Sequence, residues 1–342
     1  MDALWQALRV LVMALMIPLL LRTRKDLRTL MLVIGVSLGL LGSKFGLFGI
    51  WHGGVRFALG YGGMLSDNNS LALGLAMGMP FMWFGRDLVS RLWLKAALLA
   101  MFAFSSAAVV MTYSRGGAVA MAVGLLAIVW RSRHKLLVLV GLVIISIPTL
   151  VFVGSKYLDR LSTLKAPTEE ASAYSRVVLA KAGLQLWMDY PILGVGFGQQ
   201  NEQVLINRYL DEGYKGHGMK VLHNTYVQLL SDCGVFAFIL FCGLLFGTLI
   251  WLNGVIKRAR DQQDMIGPCA SALQSSLVAY AVGATTLSRA EWDLIYIELA
   301  VAALILRILK EDLEEASSPI PAPEMISEGF SYPAPAPRQN WK

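Results

Sequence analysis

Stretches of about 20 apolar residues, the length a helix needs to cross a hydrocarbon core of about 30 Å, recur along this chain. Its charges are left in short gaps between them. Nine segments are read as spans: 4–21, 29–46, 68–84, 93–112, 117–130, 136–153, 224–252, 270–287 and 294–309. Composition agrees, with 56% of residues in the AVILMFWYC set and only 15% charged, against about 25% charged in ordinary soluble domains. A soluble fold of this size has too little polar coat for that much apolar surface. The first span runs into basic residues and a second span, not a small-residue cleavage site, so it is read as retained. The expected fold class is all-α, a polytopic membrane protein of about nine transmembrane helices with one long, partly helical outer loop.

The net charge of +7 is distributed, not patched. The odd-numbered gaps between spans hold 13 Lys/Arg and the short even-numbered gaps hold 4. Basic gaps face the cytoplasm, so the amino terminus is expected outside and the carboxyl terminus inside. No aromatic residues interleave with these cations as nucleic-acid binding would require, so a nucleic-acid partner is excluded and the lipid bilayer is the expected one. Cys233, Cys242 and Cys269 are too scattered for a disulfide framework or a metal pair.

Residues 1–153 are thus read as six transmembrane helices, 154–222 as the outer loop, 223–309 as three more helices and 310–342 as a disordered cytoplasmic tail. The tail holds six of the chain's twelve prolines and cannot bury a core. Within the loop, Val177, Ala180, Leu184, Trp187 and Met188 lie at helical spacing, on a helix able to rest on the bilayer surface. A glycine-rich turn at Gly194–Gly198 and a second short helix over 200–211 follow.

Polar groups at the membrane boundary are the first candidates for chemistry. In Tyr113-Ser114-Arg115-Gly116-Gly117, glycines let the backbone break and approach a ligand, and Arg115 offers a planar fork of donors suited to phosphate oxygens; the plainer reading is an arginine snorkelling beside a helical turn. In Leu222-His223-Asn224-Thr225-Tyr226, Asn224 or Thr225 caps the next helix and holds His223 at the outer interface, as a proton acceptor or as a solvated imidazole. Arg176 opens the loop helix, ahead of Lys181 and Arg208 in interest. His217 lies between glycines. Asp67, Asn68 and Asn69 precede the third span, as helix caps or as hydrogen-bonding groups for a sugar. Asp232 and Glu298 fall inside spans, as structural carboxylates or a proton path. No phosphate-binding loop, nucleophile elbow or zinc spacing is present, so neither a cofactor nor a metal is expected.

Three motifs carry a resemblance. They are Tyr113-Ser-Arg-Gly-Gly117; Ser175-Arg176 through Trp187 into Asp189-Tyr-Pro-Ile-Leu-Gly-Val-Gly-Phe-Gly198; and His223-Asn-Thr-Tyr226 followed by Leu229 and Asp232-Cys-Gly-Val235. In kind and order they resemble the O-antigen ligase and polymerase superfamily over roughly residues 30–305. The run from Gly60 to Leu73 is most similar to the O-glycosylation ligases associated with exosortase A systems. The resemblance implies a bacterial inner-membrane enzyme with a periplasmic loop and a periplasm-facing site. It would move a glycan from an undecaprenyl-diphosphate carrier to a hydroxyl acceptor, which is protein, lipid or sugar. It implies His223 as base and Arg115 and Arg176 as diphosphate clamps, with Asn224, Asp67, Asn68, Asn69 and His217 as substrate-binding candidates. Arginine can replace a metal at so good a leaving group, and with no carboxylate placed as a nucleophile, single-step inversion is expected. A polymerase would use the same residues. A lipid-linked sugar transporter is disfavoured, since transporters place polar groups near the midplane on broken helices.

Overall fold

The computed structural model describes residues 2–132, 134–136, 138–141, 167–198, 200–210, 221–262 and 264–317. Its helices are α1 (Asp2–Leu20), α2 (Arg24–Trp51), α3 (Asn68–Gly85), α4 (Leu92–Met111), α5 (Arg115–Arg131), α6 (Pro167–Asp189), α7 (Gln200–Leu205), α8 (Thr225–Gln262), α9 (Ile266–Gly283) and α10 (Asp293–Ser317). Eight of the nine expected spans coincide with α1–α5 and α8–α10. Most of the sixth, 136–153, lies outside the described residues.

By length and apolarity, three of the described helices qualify to cross a membrane: Arg24–Trp51, Leu92–Met111 and Thr225–Arg260. The expected count of nine is therefore not reached on this measure, for a physical reason. Helices α3 and α9 have 18 residues each, diluted by asparagines, serines, glycines and a glutamine; α5 has 17; α10 carries Asp293, Glu298, Arg307 and Lys310; and α1 counts only as a shorter apolar helix over Ala7–Leu20. Of these, α3 and α9 form the inside of the bundle. All but the first two residues of α3 are buried, and α2, α4, α5 and α9 pack around it.

The long α2 meets α4 through a stripe of small residues. Gly39, Gly42, Gly46 and Gly49 are all buried, and a methyl group at Gly42 would lie 2.0 Å from Ser105 Oγ. Removing side chains lets two backbones approach closely where lipid supplies no hydrophobic drive.

The chain also departs from an all-α expectation. Leu59–Gly62 (β1) and Leu65–Asp67 (β2) form an antiparallel hairpin, with Gly62 opposite Leu65. Gly62 and Gly63, both at positive φ, close the turn. Trp292 Nε1 donates to Met64 O at 3.2 Å, tying the hairpin to the segment between α9 and α10.

Helix α10 runs on to Ser317, past the expected start of the tail. Acid–base pairs hold this last stretch: Arg307 Nε–Glu311 Oε1 at 2.7 Å and Arg24 Nη2–Asp312 Oδ2 at 2.7 Å. Residues 318–342 lie outside the described residues.

The loop helix α6 is amphipathic, as its spacing predicts, and Ala180 and Leu184 of the expected set pack beside its buried residues. Leu179, Ala182 and Leu186 are buried, while Val177 and Met188 are exposed. Leu179 and Ala182 join Ile206, Leu210, Leu222 and Val227 in one apolar cluster. The loop is therefore docked on the start of α8.

Helix α8 is broken at Gly234, whose φ is 77° and ψ −176°. An uninterrupted helix would have Val235 N–H donate to Ser231 O. Instead, Val235 N–H donates to Pro191 O at 2.9 Å, while Ser231 O and Asp232 O accept from Val195 and Gly196 N–H, each at 2.8 Å. The glycine-rich turn thus inserts into the break and satisfies the backbone groups it frees.

This backbone region is open almost only to glycine, and a Cβ on Gly234 would meet Ile192 O at 2.1 Å. Gly234→Ala is expected to destabilise the fold by about 2–4 kcal/mol. The measurement is the thermal unfolding midpoint in detergent, with Gly243→Ala, where nothing lies within 4 Å, as the control that changes little.

Candidate active site

The beginnings of α3, α5 and α8 and the end of α9 meet in one corner, covered by α6 and the hairpin. Asp67 caps α3: Oδ1 accepts from Asn69 N–H at 2.9 Å and Ser70 N–H at 3.0 Å. Asp67 also pairs with Arg289, from the segment between α9 and α10. Arg289 Nε donates to Ser70 Oγ at 2.7 Å, and its backbone N–H donates to Thr225 Oγ1 at 2.9 Å. Thr225 Oγ1 in turn donates to Leu287 O at 2.6 Å, and Thr225 N–H donates to Ala284 O at 2.8 Å. One ion pair thus locks α3, α8 and the α9–α10 segment together.

Asn68 and Asn69 join α3 to the start of α5. Asn68 Nδ2 donates to Thr112 O at 3.1 Å and Ser114 Oγ donates to Asn69 Oδ1 at 2.6 Å. Ser114 also caps α5, accepting from Gly117 N–H at 3.0 Å. Both asparagines therefore brace the turn that presents Arg115.

Gly116 and Gly117 are both buried, and a Cβ would meet Thr286 Oγ1 and Ala72 Cβ, each at 2.2 Å. They let α5 pack closely on α3 and on the segment after α9. Arg115, at the same helix start, is exposed.

Asn224 caps α8 through Oδ1, accepting from Tyr226 N–H at 3.0 Å and Val227 N–H at 3.1 Å. Among the described residues, two that are not glycine have positive φ: Tyr113 at 52° and His223 at 53°. Each stands two residues before a helix of this corner. A side chain in this region costs about 1–2 kcal/mol, and such strain gathers where a function fixes the geometry.

The electrostatics link these groups. Burial, then the charges of Arg176 and Arg289, lower the pKa of His223, while Asp67 pulls it up. Burial and then Arg115 lower the pKa of Arg176. For Asp67, burial pushes upward, but the hydrogen bonds from Ser70 and Asn69 and the Arg289 charge outweigh it and hold the carboxyl low. A half-buried neutral histidine thus lies within reach of the charge of Arg176, which in turn feels that of Arg115. His217 lies outside the described residues.

Two groups escaped the sequence reading. Arg289 had counted only among the few outer cations that orient the chain. Glu202, 1% exposed, sits on α7 against the α8 break, where Ser231 Oγ donates to its Oε2 at 3.5 Å. Burial, and then the Asp232 carboxylate, push Glu202 well above the usual carboxylate range. Asp232 and Glu298, considered together as span carboxylates, keep different company. Asp232 accepts from Gln228 Nε2 at 3.5 Å, and Glu298 accepts from Ser276 Oγ at 2.5 Å.

These features define a multi-pass membrane protein with a cationic corner and a histidine at one end of its bundle. Residues 99–242 match the family model described as O-Antigen ligase, a stretch from α4 to the first half of α8. It contains Arg115, Arg176, His223 and Asn224, and it supports the O-antigen ligase superfamily, whose members are membrane enzymes that transfer glycosyl groups from lipid-linked glycans. No curated protein matches the chain.

Glu202 keeps its proton in the folded state above the pH at which an unfolded glutamate loses it. Folding is therefore penalised increasingly as pH rises above the ordinary carboxylate value. Glu202→Gln has no proton to lose. Its thermal midpoint should exceed that of the wild type at pH 8, and the gap should close towards pH 5; a series of melts across that range checks the sign.

Proposed function

We propose that this protein transfers a glycan from an undecaprenyl-diphosphate carrier to a hydroxyl acceptor, at the periplasmic face of a bacterial inner membrane. The observation that carries the reading is the strained, half-buried His223 beside Arg176, with Arg115 close enough to Arg176 to lower its proton affinity. The family match over the same residues supports it. The Gly60–Leu73 run favours the exosortase-associated branch.

In this mechanism neutral His223 takes the proton of the acceptor hydroxyl. The oxygen attacks the anomeric carbon from the face opposite the diphosphate, and the bond from that carbon to the diphosphate oxygen breaks. The electron pair leaves on the lipid diphosphate, whose charge Arg115 and Arg176 neutralise. One displacement inverts the anomeric centre, and arginine charge takes the part a metal plays elsewhere. Asn224 holds the base in place through the α8 cap. Asp67, Asn68 and Asn69 act as the brace behind the arginines.

The direct test mixes purified protein with a labelled undecaprenyl-diphosphate glycan and candidate acceptors. Label should appear covalently on the acceptor. Passage of sugar across a liposome membrane without transfer would overturn the proposal in favour of transport, and a ladder of added repeats would make the acceptor a second lipid-linked glycan.

His223→Ala should lower the transfer rate by about 10²–10⁴-fold while membrane insertion is unchanged. Because neighbouring cations and burial lower the His223 pKa, the wild-type rate should hold through neutrality and fall only below about pH 6.5, the ordinary imidazole value. The acid limb is read from the pH profile of kcat/KM for the donor, which reports the donor-free enzyme. Arg115→Lys keeps charge but loses the planar fork, so donor affinity should fall by about 10-fold or more, read from KM for the lipid-linked glycan.

A further inference from the structure

The helices that frame this corner carry a second polar site at their other ends. Helix α3 alone has 18 residues, which puts the two sites about 27 Å apart along its axis. At that far end a cavity of about 620 Å³ opens between the ends of α3, α5 and α8 and the start of α9. Its walls include Arg86, Arg131, His134 and Arg260.

The charge there is one-sided. Arg260 Nη2 donates to the backbone oxygen of Arg131 at 2.5 Å, so two guanidinium groups are brought to one wall. The Arg131 side chain reaches Asn253 Oδ1, a neutral partner. Arg86 lies 3.9 Å over the Trp83 ring. Two acidic residues line the cavity, Asp87 and Asp264. Asp87 approaches Arg86 at 3.7 Å. Asp264 is committed to Arg24, Nη1 to Oδ1 at 2.5 Å.

A second, apolar space adjoins this cavity. A groove of about 460 Å³ runs between α5, α8 and α9, lined by Leu126, Ala127, Trp130, Phe246 and Ile250 among others. Arg131 and its partner Asn253 line the groove, and Arg131 lines the cationic cavity too. Leu126, Trp130 and Ile250 are each at least 65% exposed, so the groove is open to the bilayer. Lys135 stands 4.8 Å over the Trp130 ring beside it.

We propose that this pair of spaces binds one acidic glycerophospholipid from the leaflet at that end, its phosphate among Arg86, Arg131 and Arg260 and an acyl chain along the groove. Basic pockets between membrane helices hold anionic headgroups in this way. A free phosphate would satisfy the cations alone. The apolar groove continuous with them through Arg131 argues for a lipid.

The test uses the full-length protein in detergent, with native mass spectrometry for retained lipid and thermal unfolding for stabilisation. The probes are phosphatidylglycerol, phosphatidylcholine and inorganic phosphate. Phosphatidylglycerol should be retained and should raise the midpoint, and the other two should do neither at equal concentration. The double variant Arg131→Gln with Arg260→Gln should retain at least 10-fold less phosphatidylglycerol. Ala127→Trp, which fills the groove and leaves every cation in place, should lose it too, and decides the matter if the double variant fails to insert. Equal retention of phosphatidylcholine, stabilisation by phosphate alone, or full retention by Ala127→Trp would each overturn the proposal.

Discussion

Three backbone hydrogen bonds between the turn at 190–198 and the break at Gly234 hold this architecture together. A broken helix inside a membrane exposes donors and acceptors that lipid cannot satisfy, each at a cost of several kcal/mol. Here the turn supplies what the missing helical turn would have, nearly one bond for one. The consequence reaches beyond the break. The turn ends α6, which bears Arg176, and α8 begins just after His223. Fixing the turn to α8 therefore fixes a loop arginine relative to a helix-start histidine, though 46 residues separate them in sequence.

The ion pair between Asp67 and Arg289 completes that frame from the other side. Asp67 serves the α3 cap and Arg289 together, and Arg289 reaches Thr225 through its backbone. Hydrogen bonds of this kind, partly screened from water and each sharing a partner with the next, act as one unit. Their effect is positional. Asp67 is spent on Arg289 and the helix cap, and the charge of Arg115 is felt instead by another cation, Arg176.

Helices were legible because lipid as a solvent leaves few options: apolar segments must close their own backbone hydrogen bonds, and eight expected segments are helices. Arg115 and His223 stand out as ionisable groups at the boundary and Arg176 through the family resemblance, and the structure puts the three within electrostatic reach of one another. Their meeting in one corner was not deducible from spacing. It follows from the turn at 190–198 docking on Gly234, and a glycine within an apolar run carries no sign that its helix breaks there. At Gly116 and Gly117 the structure adds a packing reason for the missing side chain, closeness to Thr286 and Ala72. Arg289 was hidden by the charge count itself, which treats every outer cation as a topology signal. Glu202 was hidden because a short polar helix looks solvated until its burial is known.

The cation cluster has a consequence for how such a corner handles an anion. Burial and then the charge of Arg115 lower the proton affinity of Arg176, and burial and then Arg176 lower that of His223. In the proposed reaction an incoming diphosphate would relieve that repulsion, so part of its binding energy would be stored in the folded state before it arrives. Its charge would offset the part of the His223 shift that comes from Arg176, leaving the part due to burial, and His223 would become more basic as donor binds. Base strength and donor occupancy would thereby be coupled through Arg176. When the diphosphate leaves, the cations would face one another again, the imidazolium formed by proton transfer would be disfavoured, and loss of its proton would return the corner to its starting charge.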